Sequence, residues 1–298
     1  MPKTAEPLAE RAPAKVNLTL RVTGRRADGY HLIESMVVFA DAADVLRAAP
    51  ADVLTLRVGG PFAAGVPEDE RNLVMRAALA LRAEHGVAAG AAITLEKRLP
   101  HGGGIGGGSS DAAAALRLLG RLWDVPPLGE DAALALGADV PVCRAAPSPA
   151  QVTGIGQAVA PVPPLPAAAL VLLGPGVHVP TPSVFAARRG EFSAPLGPPP
   201  GGLDAVGLAG WARRGGNDLT EAAVRTAPAI AEALETLRAA PGLLHVAMSG
   251  SGSVCYGLAP DMATAARAAA RLSAERPGWW VQAAPILAAG DQSSLVTT

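Results

Sequence analysis

The stretch LPHGGGIGGGSSD, residues Leu99 to Asp111, puts six glycines into the seven positions from Gly102 to Gly108, interrupted only by Ile105. Glycine permits positive φ and lets backbone N–H groups approach a ligand with no side chain in the way. Ser109, Ser110 and Asp111 are good capping or first-turn residues, so a helix is expected from about Ser110 to Leu119. A helix N-terminus carries roughly half a positive charge and unpaired donors. The segment therefore reads as a phosphate cradle. A flexible linker is the competing reading, but linkers rarely lead straight into a capped amphipathic helix. Other phosphate motifs fit poorly. A P-loop needs lysine where Ser109 stands, and a protein-kinase glycine loop needs valine there. A dinucleotide fingerprint can be forced onto Gly102, Gly104 and Gly107, but no parallel strand with an acidic residue follows at the expected distance.

Lysine is rare in this chain. Of 25 basic residues only Lys3, Lys15 and Lys97 are lysines, which draws attention to the latter two. A net charge of −1 and 3% aromatic residues argue against a nucleic-acid or anionic-membrane partner. The strongest apolar run, AAALVLLGPG, is too short to span a bilayer. Cys143 and Cys255 have no metal-ligand spacing and form no disulfide framework; two reduced, buried thiols fit a cytoplasmic protein.

The elements that must hold the glycine run can be read along the chain. MPKTAEPLAERAPAK reads as a disordered tail. AKVNLTLRVTG alternates Val16, Leu18, Leu20 and Val22 on one face, as a strand does. A turn at Asp28-Gly29 follows, then the strands MVVFADAADVL and DVLTLRV. A helix through Leu73, Ala77 and Leu81 ends at Gly86, and AAITLEKR alternates as a strand. PVPPLP, residues 161–166, marks a boundary between domains at 1–160 and 161–298, with the last strand or tail free to pack back on the first domain. The second half reads as strand 168–173, helix 218–237, strands 243–248 and 254–258, helix 262–271 and strand 279–284. That order suits an antiparallel sheet with helices on one face, an α+β architecture. Residues 191–204 read as a mobile, proline- and glycine-rich surface loop.

Three of these segments together resemble one family. LPHGGGIGGGSSDAAAA is similar to the phosphate loop of the GHMP kinases, PAKVNLTL to their N-terminal motif and VAMSGSGSVCYGL to their C-terminal glycine turn. The resemblance runs from Ala14 to about Leu258. It implies a two-domain α+β fold, with a ribosomal-protein-S5-domain-2-like N-terminal domain and a ferredoxin-like C-terminal domain. ADGYHLIESM, GADVPV, VPTPSVF and GNDLTEA resemble members whose substrate carries a cytidine diphosphate group. The implied reaction is ATP-dependent phosphorylation of the 2-hydroxyl of a cytidine-diphosphate-linked polyol. A kinase for another small alcohol, of the homoserine or mevalonate type, is the alternative. A non-catalytic nucleotide-binding regulator is a third reading, disfavoured by the presence of both Lys15 and Asp139.

The resemblance assigns roles residue by residue. Asp139, in LGADVPV, resembles the catalytic base; an attacking alcohol must lose a proton, and a placed carboxylate can accept it. Its spacing alone equally fits a turn aspartate capping its own backbone. Lys15 resembles the second catalytic residue, which would keep that carboxylate ionised and stabilise the forming alkoxide. Pro100, His101, Gly102, Gly103, Gly104, Ile105, Gly106, Gly107, Gly108, Ser109 and Ser110 would hold ATP, with Asn72 and Lys97 on the adenine side. Asn72 also reads as a helix cap and Lys97 as a strand-end charge. Asn17, on the same strand face as Lys15, would place substrate with Thr181. Tyr30 would stack on the cytosine ring, His31 would bond its edge, and Phe185 would cover the other face. Asp111 reads as a helix-start residue kept ionised by the helix dipole, with a metal role as the alternative, and Ser110 could reach a magnesium ion. No protein metal ligand is expected; Mg2+ would arrive with the nucleotide. Oligomeric state stays open between monomer and homodimer.

Overall fold

The computed structural model describes residues 8–296. β1 (Leu8–Arg25) and β2 (His31–Ala51) form a long antiparallel hairpin with Val16 opposite Val38 and Arg25 opposite His31. β2 is the hub of the first sheet. Its C-terminal half pairs with β4 (Gly90–Glu96) and its N-terminal part with β5 (Ala150–Gly154). β3 (Leu54–Gly59) runs parallel to β4, and β6 (Ala158–Pro161) closes the other edge.

Part of the segment expected as a tail is strand. From Leu8 onwards the chain is paired, because the Glu10 carboxylate is buried and bound at both oxygens. Arg117 and Arg121 reach it at 2.6 and 2.7 Å from α2 (Gly107–Trp123). The rest of that expectation, residues 1–7, lies outside the described residues.

α1 (Leu73–His85) and α2 pack on one face of this sheet, where Val74, Leu81, Leu118 and Leu119 meet Leu46, Ile93 and Leu95. The short helices α3 (Glu130–Leu136) and α4 (Val140–Arg144) follow. A proline-rich crossing over 162–168 leads to the second sheet. β7 (Ala169–Gly174) lies between β10 (Trp280–Pro285) and β9 (Cys255–Ala259), with β8 (His245–Met248) outside β9; all pairs are antiparallel.

Strand alternation decides what each face of the second sheet meets. Ala169, Val171 and Leu173 pack on α8 (Ala229–Arg238) and α9 (Met262–Glu275). Leu170 and Leu172, with Tyr256 and Leu258, pack on Val16, Leu18, Met36 and Val38 of the first hairpin. The Tyr256 hydroxyl donates to the Leu18 carbonyl at 2.8 Å, a buried polar tie between the sheets.

The helix expected over 218–237 is two helices, α7 (Thr220–Thr226) and α8. Pro228 supplies no N–H and pushes Ala227 into an extended conformation, φ −143° and ψ 93°. Before them lie α5 (Thr181–Ala187) and α6 (Ala205–Gly215). The segment 191–204 is bound along the first hairpin: Glu34 accepts from Leu196 N and Gly197 N, and Ser193 N donates to Val22 O. After β10 the chain returns to the first sheet, where Leu287 N donates to Phe39 O at 2.8 Å.

Candidate active site

The glycine run ends in α2, which begins three residues earlier than its capping residues suggest. Gly106 is the N-cap, with φ +65°, a conformation that favours glycine. Gly107 and Gly108 thus form the bare first turn, and the Ser110 hydroxyl bonds the Pro13 carbonyl. Among the described residues, no N–H from His101 to Ser109 donates to a backbone carbonyl. A row of free amides at a helix N-terminus suits an anion.

The second glycine turn, residues 249–253, props up the first. Val254 N donates to Gly103 O at 2.9 Å. Ser249 Oγ accepts from Asn17 N at 3.1 Å and donates to Gly104 O at 3.0 Å. A Cβ added to Gly104 would stand 2.5 Å from the Ser249 carbonyl oxygen. The turn itself is held by Asn217, whose Nδ2 reaches the carbonyls of Met248 and Gly250. Sequence reasoning named neither Ser249 nor Asn217 individually, although both lie in the quoted motifs.

Lys15 reaches this site from β1. Its N–H donates to Ile105 O at 3.0 Å, and a Cβ on Gly106 would touch its side chain at 3.1 Å. Lys15 Nζ donates to Asn17 Oδ1 at 2.9 Å and to Asp139 Oδ2 at 3.0 Å. An ammonium has three N–H groups, so one remains for another partner. Asn17 is fixed in turn by Ser35 Oγ at 2.6 Å. Asp139 precedes α4 but its side chain makes no cap bond, so the self-capping alternative is absent. Its carboxylate is 46% exposed while Lys15 is 4% exposed: the lysine is buried and the carboxylate faces open space.

That space is a cavity of about 670 Å³. One part is walled by Lys15, Asn17, Asp139, Gly104 and Ser109, another by Tyr30, His31 and Phe185. The His31 and Phe185 rings stack at 5.1 Å with 27° between their planes. Burial, then Arg25 and Arg188, lower the His31 pKa, favouring the neutral imidazole. Thr181 Oγ1 lies 2.7 Å from Ser251 Oγ and also lines the cavity. Tyr30 is 63% exposed, and Phe185 contacts His31 rather than facing Tyr30 across a gap.

Asn72 and Lys97 have internal partners. Asn72 Oδ1 accepts from Val74 N and its Nδ2 donates to Pro67 O, the cap that was the alternative reading. Lys97 is a buried cation, not a strand-end surface charge. Its Nζ bonds Asp44 Oδ2 and, at 2.7 Å, Asp111 Oδ2. The expectation for Asp111 is reversed: burial raises its pKa more than Lys97 lowers it, and Asp44 raises it further. Helix-dipole stabilisation of about 0.3–1 kcal/mol is small against desolvation of a fully buried carboxylate. Asp44 was missed, although an acid inside the apolar run VVFADAADVL is itself a signal. His101 is exposed at the mouth of the loop, and His178 lies over Gly102, where an added Cβ would meet its ring at 2.0 Å.

Comparison with known proteins places the chain among relatives of one family. Residues 72–149 match the family model for the GHMP kinases N terminal domain, and residues 204–277 match that for GHMP kinases C terminal. The chain is 50% identical over 281 residues to the 4-diphosphocytidyl-2-C-methyl-D-erythritol kinase of Paramagnetospirillum magneticum, covering 93% of this chain and 97% of that one. It is 48% identical over 272 residues to the enzyme of the same name from Ruegeria pomeroyi, covering 90% and 95%. A crystal structure of 4-(cytidine 5'-diphospho)-2C-methyl-D-erythritol kinase superposes with a TM-score of 0.76 at 37% identity, over 93% of this chain and 98% of that chain. Homoserine kinase from Cytophaga hutchinsonii shares the fold, with a TM-score of 0.67 at 15% identity over 97% and 96%.

Proposed function

The chain belongs to the GHMP kinase family, and from that premise we propose that it transfers the γ-phosphoryl group of ATP to the 2-hydroxyl of 4-diphosphocytidyl-2-C-methyl-D-erythritol, a step in non-mevalonate isoprenoid precursor biosynthesis. The observation that carries this reading is a single cavity that joins the Lys15–Asp139 pair to the His31–Phe185 stack. One part can deprotonate an alcohol beside an anion cradle; the other offers aromatic faces to a base. Homoserine and mevalonate carry no base to stack.

The free amides from Gly102 to Ser109, with Pro100, His101 and Ser110 flanking them, hold the nucleotide's phosphates. ATP supplies the phosphoryl group. Mg2+ comes with it and keeps most of its own waters. Asp139 accepts the proton of the acceptor hydroxyl. Lys15 holds Asp139 in place and keeps positive charge beside the oxygen as its electron density rises. Asn17 orients Lys15, and Thr181 faces the substrate. His31 and Phe185 bind the cytosine ring, with Tyr30 closing over it from the rim. Most of the rate enhancement is positioning and charge stabilisation, as in other phosphoryl transfers.

We place the reaction in the cytoplasm because both cysteines are free and buried, the usage of a reducing compartment. No helix among the described residues is long and apolar enough to cross a membrane. We divide the chain at 160/161, at the end of β6, the edge strand of the first sheet, just before the crossing to the second. The test is a phosphoryl-transfer assay with the cytidylylated polyol, homoserine and mevalonate in parallel. Turnover confined to the first supports the assignment; comparable kcat/KM with either of the others overturns it.

A further inference from the structure

Under the first turn of α2 lies a cluster that the reaction above does not use. Lys97 is 2% exposed and sits between two buried carboxylates, Asp44 and Asp111. Two acids share one ammonium, so with all three ionised the cluster carries one uncompensated negative charge. The cluster is close to the cradle. A Cβ on Gly107 would stand 3.6 Å from Lys97 Nζ and 4.0 Å from Asp44 Oδ2.

The two carboxylates are not equivalent. Asp44 Oδ1 accepts from Arg98 N at 2.5 Å and Leu99 N at 2.8 Å, and its Oδ2 accepts from Lys97. Asp111 accepts from Lys97 on Oδ2, its Oδ1 is buried with no donor, and the Asp44 carboxylate lies beside it. A proton entering the cluster therefore settles on Asp111, whose free oxygen gains least from being charged. Other groups packed against this part of α2 do not compete. The Cys143 thiol on α4 is pushed up to about 12, first by burial and then by Asp139. On β1, Lys15 is paired with Asp139, and Glu10 with Arg117 and Arg121. The face of α1 that meets α2 is apolar, with Val74, Ala77, Ala78 and Leu81.

We propose that Asp111 is a positioning residue for the phosphate loop that acts through Lys97, and that nucleotide binding draws one proton from solvent onto Asp111. The ATP phosphates bring negative charge above a buried site that already holds excess negative charge. Water does not screen the two from each other there. Protonation of Asp111 removes the repulsion and leaves a neutral Lys97–Asp44 pair under the helix. Burial first, then Asp44, hold the Asp111 pKa well above the usual carboxylate range against the pull of Lys97, so Asp111 takes a proton far more readily than an exposed carboxylate. Lys97, by contrast, stays charged: desolvation lowers its pKa, but Asp111 and Asp44 together raise it more.

This inference rests on the nucleotide reading above, and the experiment separates the two. Binding of MgATP alone is measured by titration calorimetry at pH 8 in buffers of different ionisation heat. Wild-type protein is expected to take up a net fraction of one proton per nucleotide, and its affinity to fall severalfold from pH 7 to pH 9. Asp111→Asn, which keeps the shape and stays neutral, is expected to take up none and to lose that pH dependence. A carboxylic-acid infrared band gained by the wild type on binding MgATP checks the same event without a variant. MgATP binding with no proton uptake, or equal uptake by Asp111→Asn, overturns the inference alone. Absence of MgATP binding overturns the function reading and this inference together.

Discussion

Lys15 Nζ and Asp139 Oδ2 stand 3.0 Å apart although 124 residues separate them in the chain. The lysine comes from the middle of β1 and the aspartate from the start of α4. The contact exists because α2 packs between these elements and its glycine turn leaves room for the lysine stem. Charge pairing, the row of free amides and the open cavity therefore meet at one point, and each can be perturbed separately.

Gly104→Ala tests the contact between the two glycine turns. Gly104 has φ +73°, and an added Cβ would lie 2.5 Å from Ser249 O and 2.8 Å from Gly252 N. Gly65 has φ +78° with nothing within 4 Å. Gly65→Ala should cost only backbone strain, about 1–2 kcal/mol. Gly104→Ala should cost about 1–3 kcal/mol more from overlap, and should also weaken MgATP binding. Chemical denaturation of the two variants, with nucleotide affinity for each, checks both points.

Phe185→Ala removes one face of the His31–Phe185 stack. Base stacking on an aromatic is worth roughly 1–3 kcal/mol, so KM for the cytidylylated substrate should rise about 5- to 150-fold. KM for ATP should not move. Equal rises in both would mean that the stack supports the fold and not the base.

Arg25 is the cation lining the cavity besides Lys15. Its Nε holds the Gly29 carbonyl at 3.0 Å, and the rest of the guanidinium is free to meet a diphosphate. Arg25→Gln should weaken CDP binding about two- to fivefold, the worth of an exposed charge pair, and leave cytidine binding unchanged. The effect should shrink in high salt, and Arg25→Lys should restore most of it. Competition binding with cytidine and CDP reads the difference.

His245 sets an acid limit on stability. Burial first, then Arg213 and Arg238, push its pKa down to about 4 from the usual 6.5. The folded form disfavours the charged ring. The contribution is complete above about pH 6.5 and is lost as pH falls towards about 4, at most about 3 kcal/mol. His245→Asn should flatten the stability profile between pH 6.5 and 4 in urea titrations. An unchanged slope would assign that acid sensitivity to other groups.

How much could be read in advance depends on whether a feature is local. The row of free amides was legible because they are consecutive, from Gly102 to Ser109, and Asn72 was legible as a cap from its place before Leu73. The start of α2 was misplaced because Ser109 and Ser110 look like caps, whereas Gly106 takes the left-handed turn and frees the glycines for the first helical turn. No spacing rule joins Lys15 to Asp139, and it was the family resemblance that placed them side by side; the Lys97 cluster also joins elements far apart in the chain, and neither spacing nor resemblance reached it. The rarity of lysine pointed at Lys97 without revealing its partners. Asp44 could have been found from its place in an apolar strand, where a buried acid needs a partner. Pro228 could have divided the helix expected over 218–237.

The most direct test of the central claim is Asp139→Asn, assayed for ATP-dependent phosphorylation of 4-diphosphocytidyl-2-C-methyl-D-erythritol. The variant keeps the shape at the end of the cavity and a weak hydrogen bond to Lys15, and removes the base. Turnover is expected to fall by about 10²–10⁴, with MgATP affinity little changed. Turnover near that of the wild type would remove Asp139 from the chemistry and leave the account without a base.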